Sequence, residues 1–457
     1  MNSARREHTG GEKSNHRNSL SRRDFLRGSA SLGAVAAFPA IVPASVFGAE
    51  APSERIAVGC IGVGRMGTDD LTDALGLRLV QVVAVCDVDS KRVQIAQKRV
   101  DSFYTQRNPD GQGKGCAAYG DFRELLARPD IDAVQISTPD HWHTIPTIEA
   151  ARAGKDIFLQ KPLSLTIAEG HLVSDTVRRY GRIFQIGSQQ RSDRRFRQAC
   201  ELVRNGRIGR LHTIKVGFGT DPGCGPQPEM PVPENLDYDM WLGPAPWVPY
   251  TEERVHPQNS LTARPGWLRI SDYGAGMITG WGSHHLDIAH WGMGTEFTGP
   301  VEIEGRAEFP KDGLWDVHGD FHIEYTYANG VKMIAADEGV HKNGVRFEGD
   351  KGWVFVDRSR IDAEPKSLLQ EVIGTDETKL YVSSHHKGNF YDCVKSRAET
   401  IAPVEVAHRS CAACLLGDIA MRTGRKLKWD PAKEQFVDRD AVATAMLSRT
   451  MRGPWRL

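Results

Sequence analysis

The chain has 457 residues, with 58 basic and 58 acidic side chains, 40% hydrophobic and 25% charged residues. That is ordinary globular composition, enough for two or three domains of about 100–200 residues, and it excludes a disordered chain. No apolar run reaches the roughly 18 residues that a membrane-spanning helix needs, and eight cysteines in so long a chain are not a disulfide framework.

The charge is uneven. Residues 1–27 carry seven Arg or Lys against three acids, a net of +4, which leaves a mildly acidic body without an electrostatic footprint for nucleic acid. Within this segment Ser21-Arg22-Arg23-Asp24-Phe25-Leu26-Arg27 precedes a weakly apolar run from Gly28 to Phe38, and a small-residue stretch runs from Pro43 to Ala49. A charged region, an apolar region and a cleavage-like region in that order read as an export signal. The arginine pair resembles the twin-arginine type, with cleavage between Ala44 and Ala49. Residues 1–49 are therefore expected to be an address read by export machinery, and the mature protein to be periplasmic or otherwise exported.

The mature chain opens on Ile56–Ile61, a short apolar run expected as a buried strand, followed at once by Gly62-Val63-Gly64-Arg65-Met66-Gly67 and helix-like sequence from Thr68 to Leu75. A second strand-like run, Leu79 to Val85, ends at Cys86-Asp87. A helix from Ser90 to about Val100, a loop at Asn108–Gly113 and a short helix from Phe122 to Leu126 follow. Ala133–Ile136 and Ile157–Leu159 are further strands, ending at Ser137-Thr138-Pro139 and Gln160-Lys161-Pro162. Strands alternating with helices predict a doubly wound parallel sheet over 53–180.

From residue 181 the pattern changes. A helix is expected over Asp193–Arg204, and residues 222–249 hold eight of the 24 prolines and read as an irregular excursion. Phe321–Tyr327 alternates strictly, turns at Asn329-Gly330 and resumes at Val331, a hairpin signal; Val345–Phe347 and Trp353–Val356 suggest a second. An open, mostly antiparallel sheet with flanking helices is expected over 181–457.

The glycine triplet follows a predicted strand and opens a helix, and an acid ends the next strand, which is the context a dinucleotide fingerprint requires. Gly62 permits the tight turn, Gly64 the approach of the pyrophosphate, and Gly67 close packing of helix on strand. Asp87 would accept hydrogen bonds from the ribose hydroxyls and repel a 2′-phosphate, favouring NAD over NADP. Arg65, Lys91 and Arg92 leave NADP open.

With Ser137-Thr138-Pro139-Asp140-His141-Trp142-His143, Gln160-Lys161-Pro162 and Gly274 through His284-His285 to Asp287, the chain resembles the glucose–fructose oxidoreductase, inositol dehydrogenase and rhizopine-catabolism (Gfo/Idh/MocA) family over residues 54–455. The stretch from His408-Arg409-Ser410 to Asp430 resembles exported members. The resemblance implies a Rossmann domain joined to an open-sheet domain, homo-oligomers, and nicotinamide-dependent chemistry at a carbinol carbon of a sugar or cyclitol. It places Lys161 and His284 as catalytic groups. Gly62, Val63, Gly64, Arg65, Met66, Gly67, Asp87, Thr138, Pro139, His143 and Lys161 fall to the cofactor, and Arg191, Trp281, His285 and Asp287 to the substrate, with no metal. Arg191 could equally form an interdomain salt bridge, and Asp287 could bind a hydroxyl or orient the imidazole.

Two positions depart from the family. Gln160 stands where a glutamate is usual, and Gly280 where an aspartate precedes the histidine by four residues. Both remove negative charge, with Asp140 and Asp272 as candidate stand-ins. Trp241, Trp247, Tyr250, Trp267 and Tyr273 suit either a sugar face, a loop anchor or an oligomer interface. Cys411 and Cys414 lie on an apolar helix face and are read as core. Three functions follow as alternatives: a sugar oxidoreductase, a redox-neutral NAD-dependent enzyme that cleaves glycosides by oxidation and elimination, or an inactive carbohydrate-binding homologue.

Overall fold

The computed structural model describes residues 54–107 and 115–457. The expected signal (1–49) and the loop at Asn108–Gly113 lie outside the described residues. Six short apolar runs form the first sheet: β1 (Ile56–Ile61), β2 (Val80–Cys86), β3 (Ala117–Tyr119), β4 (Ala133–Ile136), β5 (Asp156–Leu159) and β6 (Phe184–Ile186). They lie in the order β3-β2-β1-β4-β5-β6, and every neighbouring pair is parallel. β4 and β5, covered on both faces, are buried at every position and mainly apolar; their two polar residues, Gln135 and Asp156, bond Tyr391 and Arg397. The helix after β2 runs to Arg107, well beyond the expected end at Val100. Its extra turns dock Tyr104, whose hydroxyl accepts the amide of Val82 at 2.8 Å.

The second sheet contains β7 (Leu211–Phe218), β8 (Glu302–Ala307), β9 (Phe321–Thr326), β10 (Lys332–Asp337), β11 (Gly344–Gly349), β12 (Gly352–Val356), β13 (Ile361–Glu364), β14 (Leu427–Asp430) and β15 (Gln435–Phe436). The order is β13-β12-β11-β7-β10-β9-β8-β14-β15, antiparallel except for the β7–β10 pair. Both expected hairpins are present, as β9–β10 and β11–β12. The helices Arg194–Arg204, Gly282–Met293 and Val404–Thr423 pack on this sheet and share one apolar core with it.

The expected boundary at 180 cuts the first sheet short. β6 pairs with β5, so that sheet continues to Ile186, and its apolar Phe184 and Ile186 are buried against its neighbours. The C-terminal half also returns to it. The helix His386–Ser396 sets Phe390 against Phe158, with ring centroids 5.9 Å apart, and Arg397 pairs with Asp156 at 2.5 Å.

A buried carboxylate ties this junction to the cofactor crest. Asp70, in the helix Arg65–Gly76, is 2% exposed. It accepts hydrogen bonds from Ser137 Oγ at the end of β4 (2.6 Å) and Gln160 Nε2 at the end of β5 (2.9 and 3.0 Å), and it pairs with Lys387 Nζ at 2.8 Å. Burial opposes the charge of Lys387, but Asp70 and Asp73 more than offset it and hold its pKa above the ordinary value. Gln160 is thereby explained: a glutamate there would set a second carboxylate against Asp70. Gln160→Glu is expected to cost about 3 kcal/mol in chemical denaturation. The swapped variant Asp70→Asn/Gln160→Glu should recover part of that loss, because amide and carboxylate exchange places.

Several buried histidines are neutral. Burial chiefly holds His141 down at about 3, and His285, His290 and His386 at about 4. Their folded pKa values lie below the unfolded value near 6.5, so the stability they contribute is complete above that pH and is lost as pH falls toward 4. Each costs about 2 kcal/mol by pH 5. The melting temperature is expected to fall steeply between pH 6.5 and 4.5; a flat profile over that range would contradict the burial of neutral imidazoles.

Candidate active site

The turn after β1 is built for a phosphate. Gly62 has φ +80°, and a Cβ there would lie 2.7 Å from the backbone of Ser137 and Thr138; one on Gly67 would lie 2.0 Å from Gly62 O. Such contacts are possible only for glycine. The helix Arg65–Gly76 starts at Gly64 without a side-chain cap, so its first amides remain for an anion. Gly62, Gly64, Arg65 and Met66 line a cleft along the crest of the first sheet. Val63 does not: its side chain is 1% exposed in the core, and its amide is spent on Asp87 Oδ2 at 2.9 Å. Asp87 lines the cleft with its carboxylate fixed by that bond and by the Asp89 amide at 3.0 Å.

The proline-rich excursion and the segment after it roof this cleft. Met240, Trp241, His256, Ala263, Pro265, Trp267 and Leu268 line it from above. Asp89 straps the roof down through Asn235 Nδ2 (2.9 Å) and His256 Nε2 (3.0 Å), and Arg65 Nε donates to Thr262 O at 3.0 Å. The aromatics divide accordingly. Tyr238, Trp241, Tyr250 and Tyr273 form a buried cluster that anchors the roof, whereas Trp247 is exposed. Sequence reading missed His256, Asn235 and Asp89; the density of prolines marked an irregular segment but not where it lands.

At the far end, Thr138, Pro139, Asp140, Trp142, His143, Gln160 and Lys161 line the cleft. Thr138 Oγ1 is buried without a partner. Trp142 is held by its indole N–H to Trp241 O at 2.9 Å, and His143 Nδ1 lies 2.6 Å from Pro162 O. Burial, helped by the charge of Lys161, holds His143 neutral at about 4.

Lys161 is half-buried in the wall, at the end of β5. Burial pushes its ammonium down; Asp140 opposes this, and Arg264, Arg358 and Arg65 add to it, leaving Lys161 below the ordinary value. Asp140 is 5% exposed, and burial raises it to about 7 against the pull of Lys161. Asp140 is therefore the carboxylate that faces the lysine. Asp272 is not; its electrostatic neighbours are Asp316, Arg254 and Arg449.

His284 lies in the first turn of Gly282–Met293, 5% exposed, with Nδ1 buried and unpartnered. Burial first, then Lys161 and Arg358, hold it well below the ordinary histidine value, so the ring is neutral. His285 Nδ1 lies 3.0 Å from Gly217 O, which leaves Nε2 unpartnered. The Trp281 ring lies 6.1 Å from His284 and 5.4 Å from His285. Lys161 is within electrostatic reach of His284, and Trp281 lies beside His284 and His285; of these four residues the cleft lining includes Lys161.

Arg191 and Asp287 are not free for a ligand. They form a bidentate pair (2.7 and 2.9 Å), both 2% exposed or less, with Ser410 Oγ on Asp287 at 2.8 Å and Glu296 on Arg191 at 2.8 Å. A guanidinium fork matched to a carboxylate saturates both groups, so these two expected substrate contacts are instead paired with each other. Cys411 and Cys414 are buried core residues. Among the described residues His171, His408 and Glu434 have the spacing of metal ligands. Arg409 bonds Glu434 Oε1 at 3.1 Å, the oxygen that His408 also contacts, so a cation already occupies it.

The crest fits a dinucleotide by its glycine turn, uncapped helix start and fixed Asp87. A 2′-phosphate would meet that carboxylate, while Arg92 is engaged with Asp89 at 3.6 Å. NAD is accordingly the cofactor of this domain.

Comparison with known proteins agrees. Residues 56–188 match the oxidoreductase family's NAD-binding Rossmann fold, residues 222–457 its C-terminal alpha/beta domain, and residues 19–39 the twin-arginine translocation signal, which marks the chain for export by that pathway. Myo-inositol 2-dehydrogenase of Thermotoga maritima is 30% identical over 185 residues, 40% of this chain and 51% of that protein. Alpha-N-acetylgalactosaminidase of Shewanella oneidensis is 33% identical over 171 residues, 36% of each chain. The chain therefore spans about half or less of these two relatives. The solved scyllo-inositol dehydrogenase of Lactobacillus casei with bound NAD(H) and scyllo-inositol shares the fold, with a TM-score of 0.55, 16% identity, and cover of 82% of this chain and 99% of that one. Among the described residues no helix is long and apolar enough to cross a membrane. With a family match that spans more than half of its length, the chain belongs to the Gfo/Idh/MocA oxidoreductases.

Proposed function

We propose that the protein oxidises a secondary hydroxyl of a sugar, cyclitol or glycoside, with its nicotinamide coenzyme kept bound through the cycle. The observation that carries this reading is a lysine of lowered proton affinity, in the wall of the NAD cleft, facing one buried carboxylate. NAD, when bound, supplies the acceptor for the hydride that leaves the carbinol carbon. The chain supplies the rest. Lys161 Nζ takes the hydroxyl proton, and Asp140 balances the ammonium that results. His284, neutral and with a free nitrogen, hydrogen-bonds the reacting hydroxyl and orients it. The roof from His256 to Leu268 keeps water from the site.

Export adds a constraint. A charged coenzyme does not cross a membrane freely, so an exported oxidoreductase retains it and regenerates it with a second substrate or with the same one. The identity to alpha-N-acetylgalactosaminidase favours one further reading, in which transient oxidation acidifies the neighbouring C–H and the glycosidic bond then eliminates. That reaction releases free sugar without net reduced coenzyme, so product analysis beside nicotinamide fluorescence separates the two.

Two outcomes are expected. Lys161→Met should lower kcat by about 10²–10⁴-fold with coenzyme still bound, as measured by single-turnover kinetics and mass spectrometry of the released nucleotide. In the oxidative direction the rate should rise with pH as Lys161, which burial holds below the ordinary lysine value, sheds its proton. Asp140→Asn removes the group that raises Lys161, so that acidic limb should move to lower pH while the maximal rate falls. A pH profile unaltered in Asp140→Asn would remove Asp140 from the mechanism.

A further inference from the structure

Three arginines, Arg264, Arg358 and Arg65, act on Lys161 against one carboxylate, Asp140. The Arg358 guanidinium, in the turn between β12 and β13, stacks 4.5 Å above the Trp281 ring. Among the described residues no carboxylate lies within ion-pair distance of it. The acid it senses, Asp193, is held by Arg195 at 2.6 Å. Arg264 and Arg269 share one fully buried carboxylate, Asp221, at 2.9 and 3.1 Å, which leaves one guanidinium charge in excess. Arg264 also reaches Met277 Sδ at 3.3 Å, and that sulfur is the single atom within 4 Å of where a Cβ on Gly280 would stand. A side chain could therefore be added at Gly280 without a close clash, and the chain puts no acid at that position.

Resting on the carbinol-oxidising reading above, we propose that the substrate brings the missing anion: a sugar with a singly charged oxyanion, a uronate carboxylate or a sulfate ester, bound by Arg358 over Trp281 with Arg264 beside the open space at Gly280. A neutral sugar would leave the exposed Arg358 guanidinium to water alone, whereas an oxyanion forms charge-assisted bonds with a planar fork that suits it. The pyrophosphate of the coenzyme does not meet this need, because Arg65 and the first amides of its helix lie at the glycine turn to receive it. The cation–π contact with Trp281 holds the Arg358 head in place and limits the entropy lost on binding.

The test uses the full protein with its coenzyme and compares methyl β-D-glucuronide, glucose 6-sulfate and methyl β-D-glucoside. At low salt, kcat/KM for at least one anionic sugar should exceed that for the glucoside by 30-fold or more, and whichever of the two leads identifies the oxyanion. Arg358→Gln should reduce that ratio at least tenfold, Arg358→Lys less, and Gly280→Asp, which fills the space with a carboxylate of the protein, also at least tenfold. Ratios within threefold of unity in the wild type, or unchanged in Arg358→Gln, overturn the inference and leave the oxidoreductase reading intact. Should no sugar be turned over, that reading fails, and equilibrium binding decides the inference alone. Calorimetry then supports it if glucuronide or the sulfate binds at least tenfold more tightly than glucoside in the wild type but not in Arg358→Gln, and overturns it otherwise.

Discussion

A lysine works as a proton acceptor near neutral pH only where water is scarce and anions are few. At the end of β5, burial and three arginines hold the Lys161 ammonium below its ordinary value. Lys161 lies in a roofed wall with Asp140 as its facing carboxylate and three arginines within electrostatic reach. Each departure from the usual family pattern acts in the same direction. Gln160 contributes an amide where a carboxylate would have stabilised the ammonium, and Gly280 contributes nothing. The role proposed for Lys161 depends on this thinning of negative charge, whereas His284 is neutral chiefly because it is buried.

Precision at such a site comes from its supports. Asp70 joins the glycine-loop helix, the ends of β4 and β5, and the helix that begins at His386, all through one buried carboxylate. The Arg191–Asp287 pair joins the segment after β6 to the helix that carries His284. Buried ion pairs of this kind add little net stability once their desolvation is counted, but they are costly to break and they fix one arrangement. Together they hold the strand end that carries Lys161 and the helix that carries His284.

Much of this was legible in the residues. The glycine triplet between an apolar run and a helix, the acid after the second strand, and the hairpin at Asn329-Gly330 are local signals whose physics needs no partner, and the structure has each of them. What was not legible depends on distant contacts. Val63 lies within the glycine motif, yet its side chain is buried in the core and its amide is spent on Asp87. Arg191 and Asp287 are of the types that bind sugars, but they are 96 positions apart and find each other first. The roof was hidden because prolines show where regular structure stops and not what the chain then covers. β7 and the strands at the sheet edges were missed because mixed polar and apolar residues on a half-covered sheet leave a weak alternation.

The account turns on where the coenzyme lies. A crystal structure of the protein with NAD tests this most directly. The account predicts the pyrophosphate against the turn from Gly62 to Gly67, the adenosine ribose at Asp87, and the nicotinamide ring within contact distance of Lys161, beneath the segment from His256 to Leu268. A crest closed by Trp241 and Trp267, or a ring bound on the side of the sheet away from Lys161 and His284, would contradict it.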